Sequence, residues 1–214
     1  AAATTVPDNA QHSALMMVDV QNGCGTGGTL AVDGGETIIP LINQLASRFS
    51  NVILTQDWHP AAHISFAANH SGKQAGEFID TPYGPQILWP VHAVQGSEDA
   101  ALHAGLQVPH AQLIIRKGCH SHIDSYSAFT EADRQTTTGL AAYLRARDIH
   151  TLYIVGLATD FCVSMTAIDA SLAGFTTSVT EDACKAIDIQ GSLAAARQQM
   201  LSRGVQLIQS SALN

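Results

Sequence analysis

Apolar residues along this 214-residue chain follow two patterns that alternate. Short unbroken runs have the length and composition of buried strands. They are "ALMMVDV" (14–20), "NVILTQ" (51–56), "QLIIRK" (112–117), "TLYIV" (151–155), "FTTSVT" (175–180) and "VQLIQ" (205–209). Stretches with helical spacing lie between them. In 36–49, Ile38, Leu41, Ile42 and Leu45 fall on one helical face. Segments 134–148, 160–173 and 189–203 read as further helices, and Gly174 and Gly204 stand where the last two should stop.

Strands alternating with helices predict βαβ units, hence a mainly parallel sheet covered on both faces and joined by right-handed crossovers. The exception is 59–109, rich in Gly, Pro, His and Asn with little periodicity; a loop that long in a compact domain is usually functional. No internal repeat or linker appears. The expectation is a single domain over 14–214 after a flexible segment, 1–13. Sites in such sheets form beyond the carboxyl ends of the strands. That rule gathers Asp19, Asp57, Lys117 and the 156–162 turn at one rim.

Composition narrows the function classes. The charged fraction is 13%, the hydrophobic fraction 46% and the net charge −8. The chain lacks the basic footprint of a nucleic-acid or anionic-membrane binder, and no apolar stretch reaches spanning length. Its partners are therefore expected to be small molecules, with self-association left open. Four scattered cysteines without a CxxC pair read as a reduced, cytoplasmic protein. The missing initiator methionine leaves an exported form open.

"GCGTGG" (23–28) matches a dinucleotide-binding fingerprint, but its last glycine should pack in the first turn of a helix. Here "TLAVDGG" follows, so a glycine-rich turn is the better reading. Other residues carry stronger chemistry. Cys162 follows a strand on a first helical turn, where unpaired N–H groups and the helix dipole favour a thiolate; the alternative is a buried structural thiol. Asp19 ends an apolar strand, where a charge needs a partner. Lys117, one of three lysines, also ends a strand. A thiol, a carboxylate to take its proton and an ammonium to offset the charges make an acyl-transfer set. "QDWHPAAH" and "WPVH" offer Asp57, His59, His63 and His92, donors that suit a zinc-like or iron-like ion with open positions. Trp58 and Trp89 lie beside these donors, as core or as walls for an aromatic ligand.

Together "VDVQN", "TQDWHPAAHISF", "WPVHAVQGS", "KGCHSHIDSYSAF" and "VGLATDFCV" resemble the nicotinamidase/pyrazinamidase family of isochorismatase-like cysteine hydrolases. The motifs run in family order from about residue 14 to 208. The resemblance implies a three-layer α/β/α fold with a six-stranded, mainly parallel sheet, and hydrolysis of nicotinamide, with pyrazinamide as a further substrate. It makes Cys162 the nucleophile, Asp19 the acid–base and Lys117 the third triad member. It also implies a cis Leu157–Ala158 peptide and an oxyanion hole from the N–H groups of Ala158 and Cys162. Asp57, His59 and His92, with His63 as a further candidate, would hold one divalent ion: zinc, or alternatively iron or manganese. Gln21, Cys24, Trp89, Tyr126 and Leu157 would form the substrate pocket. Cys24 stands where relatives have a ring-stacking phenylalanine, which removes one aromatic wall and places a second thiol near the pocket. Rival readings are a different small-amide hydrolase of this superfamily and a non-catalytic metal-binding relative; the full triad and the Asp-x-His…His set favour the nicotinamidase.

Overall fold

A computed structural model describes residues 10–213. Six parallel strands form one sheet in the order β5-β2-β1-β6-β7-β8. They are β1 (Ser13–Val18), β2 (Val52–Asp57), β5 (Leu113–Lys117), β6 (Thr151–Leu157), β7 (Thr176–Lys185) and β8 (Gln206–Ile208). Two further strands, β3 (Phe78–Thr81) and β4 (Gly84–Ile87), pair as a separate antiparallel hairpin. The helices are α1 (Ile39–Ala46), α2 (Leu140–Ala146), α3 (Ser164–Leu172) and α4 (Ser192–Ser202).

The two sheet faces follow from side-chain alternation. On the fully buried β1, Ala14, Met16 and Val18 enter one apolar cluster, while Leu15 and Met17 enter the other. The first cluster packs Leu140 and Leu144 of α2, Ala167 and Ala170 of α3 and Met200 of α4. The second packs Ile39, Ile42 and Leu45 of α1. Helices thus cover both faces, giving the expected three layers. Among the described residues, no helix is long and apolar enough to cross a membrane.

Three elements depart from the sequence reading. The helix expected over 134–148 forms only as Leu140–Ala146. Upstream, Asp133 accepts the N–H groups of Gln135 and Thr136 and the Thr136 hydroxyl, a local turn that competes with helix. The helix expected from Asp160 opens as a π-helical turn, Thr159–Val163, before α3. The β3–β4 hairpin lies inside the aperiodic 59–109 stretch. As for the segment expected to be flexible, residues 1–9 lie outside the described residues, whereas Ser13 already opens β1 and is buried.

The 23–28 glycines form a 3₁₀ turn and loop, and no helix opens at Gly28. A Cβ there would sit 2.2 Å from the Gly23 carbonyl oxygen, so two backbone segments can meet only through glycine.

Ile42 is fully buried where α1 meets the sheet. Ile42→Ala is expected to cost about 2–5 kcal/mol of unfolding free energy. Urea titration measures it, and a loss below about 1 kcal/mol would contradict this account of α1.

Candidate active site

The carboxyl ends of β1, β2, β5 and β6 converge, as parallel strands require. Lys117, the last residue of β5, is the hub. It is in register with Asp57 at the end of β2. Its Nζ, wholly buried, lies 2.5 Å from Asp57 Oδ1, 2.9 Å from Asp19 Oδ2 and 3.3 Å from Cys162 Sγ, and donates to the Ser125 carbonyl at 3.2 Å. Burial opposes its charge, but Asp19, Asp57 and Cys162 outweigh that and push the ammonium pKa well above its ordinary value.

Asp19 follows β1 with φ 51°, a left-handed conformation uncommon outside glycine. Its carboxylate is fixed by Thr55, whose hydroxyl donates to Oδ1 at 2.7 Å and accepts the Asp19 N–H at 3.1 Å. Oδ2 forms an ion pair with the ammonium, and the carboxylate also lies in reach of the Cys162 thiol. Burial, then the Asp57 charge, raise the Asp19 pKa against the pull of Lys117 and Thr55. Oxygens of Asp19 and Asp57 and the Cys162 sulfur lie within 4.8 Å of one another. Burial pushes the Cys162 thiol well up; Lys117 opposes this, but the two carboxylates reinforce it. Burial beside two carboxylates therefore works against the thiolate that a helix terminus favours.

Asp57 turns its other oxygen outward. Oδ2 lies 3.8 Å from His59 Nε2 and 4.0 Å from His92 Nε2. His59 Nδ1 is 2.9 Å from the Gly118 carbonyl and His92 Nδ1 is 2.8 Å from the Pro90 carbonyl. A carbonyl can only accept, so both Nδ1 atoms carry the proton and both Nε2 atoms present lone pairs. Gly118 permits this approach: with φ 67°, a Cβ there would lie 2.4 Å from His59 Cε1. Donors bonding a zinc-like ion at ~2.1 Å can stand at most ~4.2 Å apart; Asp57 Oδ2 is within that reach of both nitrogens, and all three donors lie within 4.8 Å of one another. Burial alone would raise the Asp57 pKa, but Lys117, His59 and His92 outweigh it and hold it at about 2. Burial and the nearby His59 lower the His92 pKa, which keeps its imidazole neutral and able to ligate. The site is built for a divalent metal ion.

Three residues flank the donors and the cavity. His63 stacks on His59 with ring centroids 4.0 Å apart, but its nitrogens are engaged elsewhere. Nε2 donates to the Ile123 carbonyl at 3.1 Å and Nδ1 pairs with the Ser65 hydroxyl at 2.7 Å, while His59, His63 and Asp124 also offer donor atoms within 4.8 Å of one another. Gln21 lines a small adjoining pocket that shares Cys24, Leu30, Asp57 and His92 with the main cavity. Its amide clasps the Asp57 peptide, accepting the N–H at 2.9 Å and donating to the C=O at 3.0 Å, which fixes that residue from behind. Trp58 lies outside the cavity beneath Arg116, whose guanidinium carbon is 3.7 Å from the ring centre.

Cys24, Trp89, Tyr126, Leu157 and Ala158 do line a narrow cavity above Cys162. The Leu157–Ala158 peptide is cis. Trp89 Nε1 donates to the Tyr126 hydroxyl at 2.9 Å, and both rings contact Phe161 edge-on or tilted. Leu30, Val32 and Ile187 supply aliphatic wall near Cys24. Phe161, Leu30, Val32, Ile187 and Asp124 are lining residues that the sequence reading did not single out. Asp124 accepts from the Ser125 N–H and from Gln86 of β4, both at 2.8 Å, which ties the unanticipated hairpin to the site. Alternation in "TLAV" and the adjacency of Phe161 to Cys162 were the only signals available. Burial and the charges of Asp19 and Asp57 push the Cys24 thiol far up.

The isochorismatase domain model matches residues 13–212. A nicotinamidase of Acinetobacter baylyi is 63% identical over 201 residues, 94% of each chain. The solved nicotinamidase/pyrazinamidase of Acinetobacter baumanii superposes with a TM-score of 0.93 at 62% identity, covering 94% of this chain and 97% of that one. The pyrazinamidase of Pyrococcus horikoshii in complex with zinc gives 0.76 at 32% identity, covering 92% and 99%.

Two outcomes test the electrostatics. Activity should fall as pH drops through an acid limb above the ordinary carboxylate range, because Asp19 must be ionised to take a proton. Thr55→Val removes a hydrogen bond that favours the carboxylate and should move that limb to higher pH in kcat/KM profiles; Thr55→Ser should restore it. A limb that stays or moves down would contradict the assignment. In alkylation with iodoacetamide followed by peptide mapping, Cys162 should label and Cys24 should not, and Cys24→Ala should keep kcat. Preferential labelling of Cys24 would overturn this reading of the two thiols. With the fold, the site and the sequence matches in agreement, the chain belongs to the isochorismatase-like hydrolase family, in its nicotinamidase/pyrazinamidase branch.

Proposed function

We propose that this protein hydrolyses nicotinamide to nicotinate and ammonia, and pyrazinamide by the same route, through a thioester on Cys162. The observation that carries the reading is the Asp19 carboxylate held beside the Cys162 thiol by the Lys117 ammonium. Zinc is the ion proposed for Asp57, His59 and His92, because two imidazoles, one carboxylate and room for a further ligand suit it, with iron or manganese as alternatives. Bound there, a divalent ion supplies a Lewis-acidic anchor for the ring nitrogen, directly or through a water.

The remaining chemistry belongs to side chains and backbone. Trp89, Tyr126 and Phe161 present aromatic surface and Leu30, Val32 and Ile187 aliphatic surface to a flat ring, which orients the carboxamide toward Cys162. Asp19 takes the thiol proton as sulfur adds to the carbonyl carbon. The N–H groups of Ala158 and Cys162 hold the resulting oxyanion. Asp19 then gives its proton to the departing nitrogen, and ammonia leaves a thioester. A water loses a proton to Asp19 as it attacks the thioester. The second tetrahedral intermediate collapses to nicotinate, and the proton returns to sulfur. Lys117 offsets the negative charge of Asp19 and of the transient thiolate at every stage.

Cys162→Ala should lower nicotinate formation by at least about 10³-fold while metal content stays at the wild-type level. Chromatographic assay and metal analysis check both; retained turnover would remove the nucleophile assignment. His92→Ala should lose bound metal and raise KM steeply, and unchanged metal stoichiometry would remove His92 from the donor set.

A further inference from the structure

One wall of the cavity comes from the connection between β7 and α4, residues 186–191, which has no regular structure and brings Ile187 into the lining. Its backbone is not one that L residues adopt unaided. Asp188 (φ 54°) and Gln190 (φ 50°) both lie in the left-handed region, followed by Gly191 (φ 82°). Such conformations persist where the surroundings fix them.

What surrounds this segment is a single buried carboxylate. Asp160, only 5% exposed, accepts the Ile187 N–H on Oδ1 at 3.0 Å. Its Oδ2 accepts the Asp188 N–H at 2.7 Å and the Ser192 hydroxyl at 2.5 Å. The Ser192 oxygen in turn accepts the Ile189 N–H at 2.7 Å. Three successive backbone N–H groups thus wrap one anion and its serine relay, as N–H groups of a left-handed turn do around a bound anion. Asp160 belongs to the π-helical turn that also carries Phe161 and Cys162. The loop is therefore tied to the turn that presents the nucleophile.

We infer that Asp160 is a positioning residue that clamps the 186–191 loop onto the nucleophile turn and so holds Ile187 in the wall that grips the substrate ring. The inference rests on the amide-hydrolase reading of this cavity. Asp160 spends both oxygens on the loop, so its contribution is to capture and retention of the ring rather than to bond-making.

Asp160→Asn keeps the shape but leaves one acceptor oxygen for three donors. KM for nicotinamide should rise about tenfold, the size of a lost charge-assisted hydrogen bond, with kcat unchanged within about twofold. Iodoacetamide should alkylate Cys162 faster through the loosened wall, and amide exchange at residues 187–189 should accelerate. Ser192→Ala, which keeps both direct amide bonds, should move all three readouts the same way by less, and it carries the test if Asp160→Asn does not fold. A fall in kcat with unchanged KM and slower alkylation would overturn the clamp and make Asp160 a brace for the nucleophile alone. Unchanged KM, alkylation and exchange would overturn it too. If the wild-type protein fails to turn over nicotinamide, the amidase reading fails, while alkylation and exchange still decide the clamp.

Discussion

A buried ammonium holds this site together. Lys117 sits at the end of a central strand with Asp57, Asp19 and Cys162 all within 3.3 Å of Nζ. Taking a lysine out of water costs several kcal/mol, and two carboxylates at contact distance offset it, Asp57 in register on the neighbouring strand and Asp19 just beyond the end of β1. The same arrangement sets the protonation states. One carboxylate, Asp57, is held ionised, while the other, Asp19, is raised toward the range useful for proton transfer. Two acids of one type thus acquire different roles from their surroundings.

Asp57 joins two halves of the chemistry. One oxygen meets the ammonium and the other meets two imidazole nitrogens whose protons are pinned on the far side of each ring. Gln21 grips its peptide from behind. The metal donors and the triad thus meet through one carboxylate, which sets them side by side under the cavity. The cavity walls have two origins. The aromatic side comes from packed rings, whereas the aliphatic side comes from loops that bring Leu30, Val32 and Ile187 into the lining with Cys24.

Much of this was legible in the sequence because it follows from periodicity and from strand ends. The six sheet strands are apolar runs, and Asp19, Asp57 and Lys117 each stand at or just beyond a strand's carboxyl end, where a parallel sheet gathers its chemistry. The rest depends on contacts that no local pattern encodes. The β3–β4 strands are four residues each and largely exposed at Phe78, so they carry no alternation. His63 looks like a ligand by spacing, and only the positions of Ser65 and Ile123 show what its nitrogens bond. Gln21 sits in a recognisable motif, but its clasp on Asp57 is a contact between strands distant in sequence. A helix terminus favours a thiolate at Cys162, whereas burial beside two carboxylates opposes it, so the thiol depends on Asp19 to accept its proton.

The central claim is that Cys162 attacks the carboxamide and carries the acyl group. The most direct measurement is rapid acid quench of a single turnover with nicotinamide, followed by peptide mass spectrometry. A nicotinoyl thioester on the Cys162 peptide, forming and decaying as nicotinate appears, is the predicted result. Full conversion with no adduct on Cys162 at any quench time, or an adduct on another residue, would contradict it.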